Sequence, residues 1–227
     1  MRKGIQLCLL AILMPLLLTA QAPERWTAAE IYQGIEKLNF LGSALYVAAH
    51  PDDENQRLIA YLANEYKAEM AYLSLTRGDG GQNLIGPEIR ELLGVIRTQE
   101  LLGARRIDGG RQFFTRANDF GYSKHPDETL EIWQREEVLG DVVWAIRKWQ
   151  PDVIINRFDH ESAGRTHGHH TSSAILSYEA FGLAGDPEAY PRQLEYVDPW
   201  QPRRLFFNTS WWFYGSREAF AEADKTD

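Results

Sequence analysis

The chain has 227 residues and a single cysteine, Cys8, which lies in an N-terminal apolar run. Beyond that run there is no thiol, so disulfides, thiolate metal ligands and a cysteine nucleophile are excluded. Positive charge is also short. Lys plus Arg number 24 against 32 Asp plus Glu, a formal charge of −8, and setting Arg2 and Lys3 aside makes the balance more negative. A nucleic-acid partner calls for a basic patch to meet its phosphates, so that class is excluded as well. The acidic balance reads as solubility. There is no internal repeat and no low-complexity segment. No serine sits in a Gly-x-Ser-x-Gly elbow, although Ser162 and Ser172 flank a histidine cluster. The longest apolar run, Ile5 to Leu18, falls short of the roughly 18 residues that a membrane span needs.

That run has another reading. Arg2-Lys3, the apolar stretch and the small-x-small end at Ala20-Gln21-Ala22 make residues 1–22 a secretory signal peptide. A retained membrane anchor is the alternative. With cleavage, the mature chain has no stable span, and export without disulfides suits a periplasm or the cell exterior. At 44% hydrophobic residues, the rest can bury a core as one domain, 23–227. The acidic tail Glu218 to Asp227 brings no closing element, and the sequence leaves open whether more chain follows. It is silent on oligomeric state.

Thr27 and Glu30 have the spacing of a capping box, with Ile31, Ile35 and Leu38 continuing a helix. Ala44 to Ala48 reads as a buried strand running to His50, and Met70 to Thr76 as a second. Arg77 to Gly81 breaks the second into a loop, whose glycine spacing fits no phosphate-binding motif. Helices are predicted over Pro87 to Gly103, with Leu92, Val95, Ile96, Leu101 and Leu102 inward, over Leu130 to Trp149, and over His170 to Phe181. Gln112 to Phe114, Val153 to Ile155 and Leu205 to Trp212 complete the strands. Strands alternating with helices predict an α/β fold: a Rossmann-like three-layer αβα sandwich around a mostly parallel sheet.

Two clusters carry chemistry. Ala49-His50-Pro51-Asp52-Asp53-Glu54 follows the first strand. His167-Gly168-His169-His170 follows the strand Val153 to Ile155 after a polar loop, and holds three of the six histidines. Strand C-termini of a parallel sheet share one edge, where ligands bind, so the clusters can meet. Two histidines and an aspartate, with one position open to water, make a catalytic zinc set, whereas a structural zinc site wants four protein ligands. The neighbouring Asp can then take a proton from the water. Taken singly, each cluster has a plainer reading, as an acidic helix N-terminus or a surface histidine patch.

The motif Ala-His-Pro-Asp-Asp-Glu with a downstream His-x-x-His resembles the PIG-L/LmbE-like metal-dependent deacetylases, from about Leu41 to Phe181. Leu75 to Gly80 and Ile96-Arg97-Thr98-Gln99-Glu100-Leu101 are similar to further segments of that family. The resemblance implies that His50, Asp53 and His170 are zinc ligands and Asp52 is the general base. It implies that His167 polarises the tetrahedral intermediate, and a protonated His167 would donate to the oxyanion. It also implies that Arg97 and Asp119 contact the sugar, Arg97 being equally readable as a helix-surface partner of Glu100. Family members often have Asp where this chain has His169, which is read as an outer-sphere or exposed residue. His125 and His160 read as structural or exposed, and Trp211 to Tyr214 as core rather than a sugar platform.

The expectation is an exported hydrolase that removes the acetyl group from an N-acetylated amino sugar, or a small molecule or glycan carrying one. Zinc is the expected ion, and iron, cobalt or manganese also suit such a site. The alternatives are another amide or ester at the same site, or an inactive carbohydrate-binding paralogue.

Overall fold

The computed structural model describes residues 25–81 and 83–223, so the expected signal segment lies outside the described residues. Residues before Phe40 form a unit of their own, whose described helix is α1, Ala28–Lys37. Thr27 caps it: its hydroxyl accepts from the Glu30 N–H, and the Glu30 carboxylate accepts from the Thr27 N–H at 2.6 Å, completing the capping box. No helix among the described residues is long and apolar enough to cross a membrane.

The unit from Phe40 onward is built on a five-stranded sheet. Its strands are β1 (Ser43–Ala48), β2 (Glu69–Ser74), β3 (Arg111–Phe114), β4 (Val153–Asn156) and β5 (Arg204–Phe207), in the order β3-β2-β1-β4-β5. Every pairing is parallel. The connecting helices are α2 (Gln56–Asn64), α3 (Glu91–Asp108), α4 (Pro126–Ile132), α5 (Arg135–Trp149), α6 (Gly168–Leu183) and α7 (Arg217–Glu222). The strand pleat sends alternate residues to opposite faces. Leu45 and Val47 of β1 join a core with Val142, Ile146 and Leu176 from α5 and α6. Tyr46 and Ala48 join another with Ile59, Ala63 and Leu101 from α2 and α3. The result is a three-layer αβα sandwich. The strand order reverses between β1 and β4, and the crevice beyond the C-termini of that pair is where such sheets bind ligands.

Arg147, fully buried on α5, secures the end of α6. Its guanidinium donates to the carbonyls of Ala184 at 3.0 Å, Asp186 at 2.7 Å and Ala189 at 2.9 Å, and to Gln193 Oε1 at 3.1 Å. A cation there also suits the negative end of a helix. Arg147→Met strands several buried acceptors, each costing about 1–3 kcal/mol. The expected loss is about 3 kcal/mol or more, seen as a lower denaturation midpoint in urea, with metal affinity unchanged in the protein that remains folded.

Four predicted boundaries or faces change. The helix predicted over Leu130 to Trp149 is two, α4 and α5, separated at Gln134, whose φ is +56°. The helix predicted from Pro87 starts at Glu91 and runs to Asp108, where Gly109 closes it at φ +82°. On it Leu92, Val95 and Ile96 are exposed and Leu93 and Gly94 are buried instead, while Leu101 is buried as predicted. A Cβ on Gly94 would meet the Asp79 Cβ at 3.1 Å, so close approach rather than periodicity selects the inward face. The last strand ends at Phe207, and Trp211–Tyr214 is a 3₁₀ turn.

Candidate metal centre

His50 lies two residues past β1, and three bonds fix the turn that carries it. The Thr76 hydroxyl donates to the Ala49 carbonyl at 2.9 Å, the Tyr72 hydroxyl donates to the His50 carbonyl, and Arg157 Nε donates to the Asp53 carbonyl at 3.1 Å. Within the turn, the Asp53 carboxylate folds back to accept from the His50 N–H at 2.7 Å. The same oxygen lies 3.1 Å from His50 Nδ1. Its other oxygen lies 3.4 Å from His170 Nε2.

The second cluster opens α6, with His167 as its N-cap: Nδ1 accepts from the His169 N–H at 3.1 Å. Gly168 has a steric reason. Its N–H donates to the Ser123 carbonyl at 2.8 Å, and a Cβ there would meet Ser123 Oγ at 2.4 Å. The histidine run therefore lies flush against the segment before α4. The His170 ring is stacked on Phe158 at 3.9 Å between centroids, with planes 4° apart.

The sheet thus brings together one atom each from His50, Asp53 and His170, all within 4.8 Å of one another. Donor type and grouping fit a divalent ion held by two imidazoles and a carboxylate. A second three-donor group, His50, His167 and His169, shares His50. It fits an ion less well, because His167 Nδ1 is engaged with backbone and His169 is fully buried.

The electrostatics follow from burial and neighbours. Burial, the largest single influence, works against the charged forms of His50 and Asp53, but their mutual hydrogen bond and the charges around them together outweigh it, raising the His50 pKa and lowering that of Asp53. His170 is pushed down to about 4, by burial first, with Asp53 opposing. It is neutral at pH 7, the form that binds metal. Burial pushes His169 down to about 2 and lowers His167 below its ordinary value.

The other predicted residues lie around this group. Asp52 points away from Asp53: its side chain is 71% exposed and lies 3.5 Å from Arg97 Nη2. Arg97 also approaches Glu100, at 4.0 Å. Asp119 is buried beside the histidines, 3.9 Å from His50 Nε2 and 3.7 Å from His169 Nδ1. It is seated on the glycine loop after β2: Asp79 accepts from the Asp119 N–H at 3.2 Å, and a Cβ on Gly80 would meet the Asp119 carbonyl oxygen at 2.2 Å. His125 caps α4, and His160 stacks on Tyr178.

Two clefts meet at Asp52. One, of about 490 Å³, runs along Arg97, Glu100 and Ala104. The other, of about 530 Å³, opens over Asp53 and His170 and is walled by Arg157, Asn208, Ser210 and Phe213. Sequence reasoning missed this wall. Asn208 is fixed by the Tyr46 hydroxyl, which donates to its Oδ1 at 2.9 Å. Phe213, read as core, both packs against the core and lines the cleft. The available signal was topological, since a loop after the last parallel strand falls on the same edge as the two motifs.

Comparison with known proteins places the chain. A family model described as "PIG-L: GlcNAc-PI de-N-acetylase" matches residues 45–181. A curated 1D-myo-inositol 2-acetamido-2-deoxy-alpha-D-glucopyranoside deacetylase from Kineococcus radiotolerans is 28% identical over 203 residues, covering 75% of this chain. The chain spans 56% of that relative's length. Among solved structures, an N,N'-diacetylchitobiose deacetylase from Pyrococcus horikoshii superposes with a TM-score of 0.57 at 19% identity, covering 79% of this chain and 68% of that one. A 4-carboxy-2-hydroxymuconate hydratase from Pseudomonas putida superposes at 0.52 and 21% identity, covering 70% of this chain and 62% of that one. At these identities the two structures speak for the fold.

Proposed function

The chain belongs to the PIG-L family of de-N-acetylases, and from that premise we propose that it is a metal-dependent N-deacetylase of N-acetylated amino sugars or their conjugates. The convergence of His50, Asp53 and His170 is the observation that carries the reading. These residues would hold a divalent ion, zinc by preference for an N,N,O donor set. Such an ion, when bound, lowers the pKa of a water to about 7 and polarises an acyl oxygen.

The chain's own residues supply the rest. Asp52 is free to act as general base because Asp53, folded back on His50, leaves it outside the ligand group. Arg97 beside Asp52 keeps that carboxylate at the mouth of both clefts. His167 donates to the developing oxyanion. Its Nδ1 already accepts from backbone, so its proton sits on Nε2 and a neutral imidazole suffices. The proposed His167 is thus neutral where the sequence suggested a protonated one, in line with burial, the largest influence on it, lowering its pKa. Arg97 and the wall of Arg157, Asn208, Ser210 and Phe213 would hold the sugar, with an aromatic face and several hydroxyl partners. Asp119 would act from behind the histidines, given its burial. The leader-like composition of the first 22 residues supports placing this chemistry outside the cytoplasm.

The test is a panel of N-acetyl, other N-acyl and O-acetyl sugars incubated with the full chain. The expected result is acetate and free amine in equal amounts from one or more N-acetyl sugars, lost on chelation and restored by zinc. Turnover confined to esters, or undiminished after chelation, would contradict the reading.

A further inference from the structure

His169, the buried histidine outside the His50, Asp53 and His170 group, has a specific partner. His50 Nε2 and His169 Nδ1 are 2.9 Å apart. His50 therefore faces Asp53 with one ring nitrogen and His169 with the other. His169 is completely buried, with the Phe120 ring edge-on at 4.4 Å and the Trp133 ring at 4.9 Å. Its other nitrogen, Nε2, is buried without a hydrogen-bond partner among the described residues.

We propose that His169 is the positioning residue for the metal ligand His50, accepting the His50 Nε2–H on its own Nδ1 as an uncharged imidazole. This rests on the reading of His50 as a ligand. A ligand imidazole that gives one nitrogen to the ion carries its proton on the other, and the acceptor of that proton sets ring orientation and tautomer. His50 Nδ1 is on the Asp53 side, where the ion would be held, so in the metal-bound form the proton of His50 is on Nε2. The acceptor must then be unprotonated at Nδ1, so the single proton of His169 is on Nε2. The His169 ring as a whole lies against Phe120 and Trp133, apolar surroundings that suit an uncharged imidazole better than they would a carboxylate. Asp119 is the rival acceptor. It stands 3.9 Å from His50 Nε2, beyond hydrogen-bond distance, and its Oδ1 already accepts from the Gly121 N–H at 2.9 Å. An aspartate at position 169 would add a negative charge next to the ligand. Histidine supplies the acceptor without the charge.

The test compares zinc affinity, by chelator competition, in the wild-type full chain and in His169→Asn and His169→Leu. Asparagine places an acceptor oxygen near the position of histidine Nδ1, whereas leucine keeps volume and offers none. His169→Leu is expected to bind zinc about 10–100-fold more weakly, and His169→Asn within a few-fold of wild type. Metal-free melting curves establish that each variant folds. Because the leucine variant can fail for structural reasons, imidazole nitrogen NMR of the zinc-loaded wild type gives an independent readout, with both His50 and His169 expected to be protonated at Nε2 alone. Equal zinc affinity in wild type and a folded His169→Leu, an asparagine variant as weak as leucine, or a proton on His169 Nδ1 would overturn the proposal. So would two equivalents of zinc per chain, which would make His169 a ligand of the second donor group. A wild type that binds zinc but fails these tests removes this proposal alone. A wild type that binds none removes the deacetylase reading with it.

Discussion

Asp52→Asn is expected to lower turnover by about 10²–10⁴-fold, the range that a positioned general base contributes, while zinc content and melting temperature stay at wild-type values. The separation follows from the geometry. Asp53 is folded against His50 and His170, whereas Asp52 is largely exposed and, among the described residues, is paired with Arg97. The amide keeps shape and loses the ability to take a proton. The fall should appear in kcat, with KM changed little, because the cleft walls are untouched. Full activity in Asp52→Asn that still holds zinc would remove the assigned base. Loss of zinc in this variant would show that Asp52 belongs to the ligand group.

Asp53→Ala and His170→Ala are expected to abolish activity through the metal instead. Either variant removes one of three donors, and the loss should exceed the roughly 10–100-fold that outer-sphere changes cost. The two should differ in stability. Asp53 is buried and bonded to both the backbone and ring of His50, so its removal leaves a buried imidazole without its acceptor, at about 1–3 kcal/mol. His170 is a quarter exposed and stacked on Phe158, so its loss gives up packing but strands no charge. Zinc titration of each variant beside urea denaturation of the metal-free proteins measures both effects. Wild-type zinc affinity in either variant would refute the ligand group.

Much of this architecture can be read from the residues. The runs ending at Ala48, Ser74 and Asn156 are apolar enough to be buried on both faces, which marks a parallel sheet. Parallel strands then put His50 and the 167–170 cluster on one edge without any knowledge of the structure. Other features carry no local mark. Gln134 separates α4 from α5 with neither proline nor glycine there to announce it. Helix α3 has apolar residues nearly all round, so Leu92 and Leu93 look alike until the loop at Asp79 closes against Gly94. The pairing of His169 with His50 spans 119 residues, and only the fold reveals it. The cleft wall from Asn208 to Phe213 is hidden for the same reason. An aromatic run such as Trp211 to Tyr214 has the composition of a core strand, and the place of Phe213 in the cleft with Asp53 depends on β5 stopping at Phe207.

The central claim is that His50, Asp53 and His170 form one divalent-metal site. Cobalt titration of the metal-free full chain, followed by absorption spectroscopy, tests it most directly. The account predicts one equivalent of cobalt with the visible bands of a low-coordinate nitrogen and oxygen site, displaced by zinc and absent from His170→Ala. Cobalt binding that is unchanged in His170→Ala, or no binding by the wild type, would contradict it.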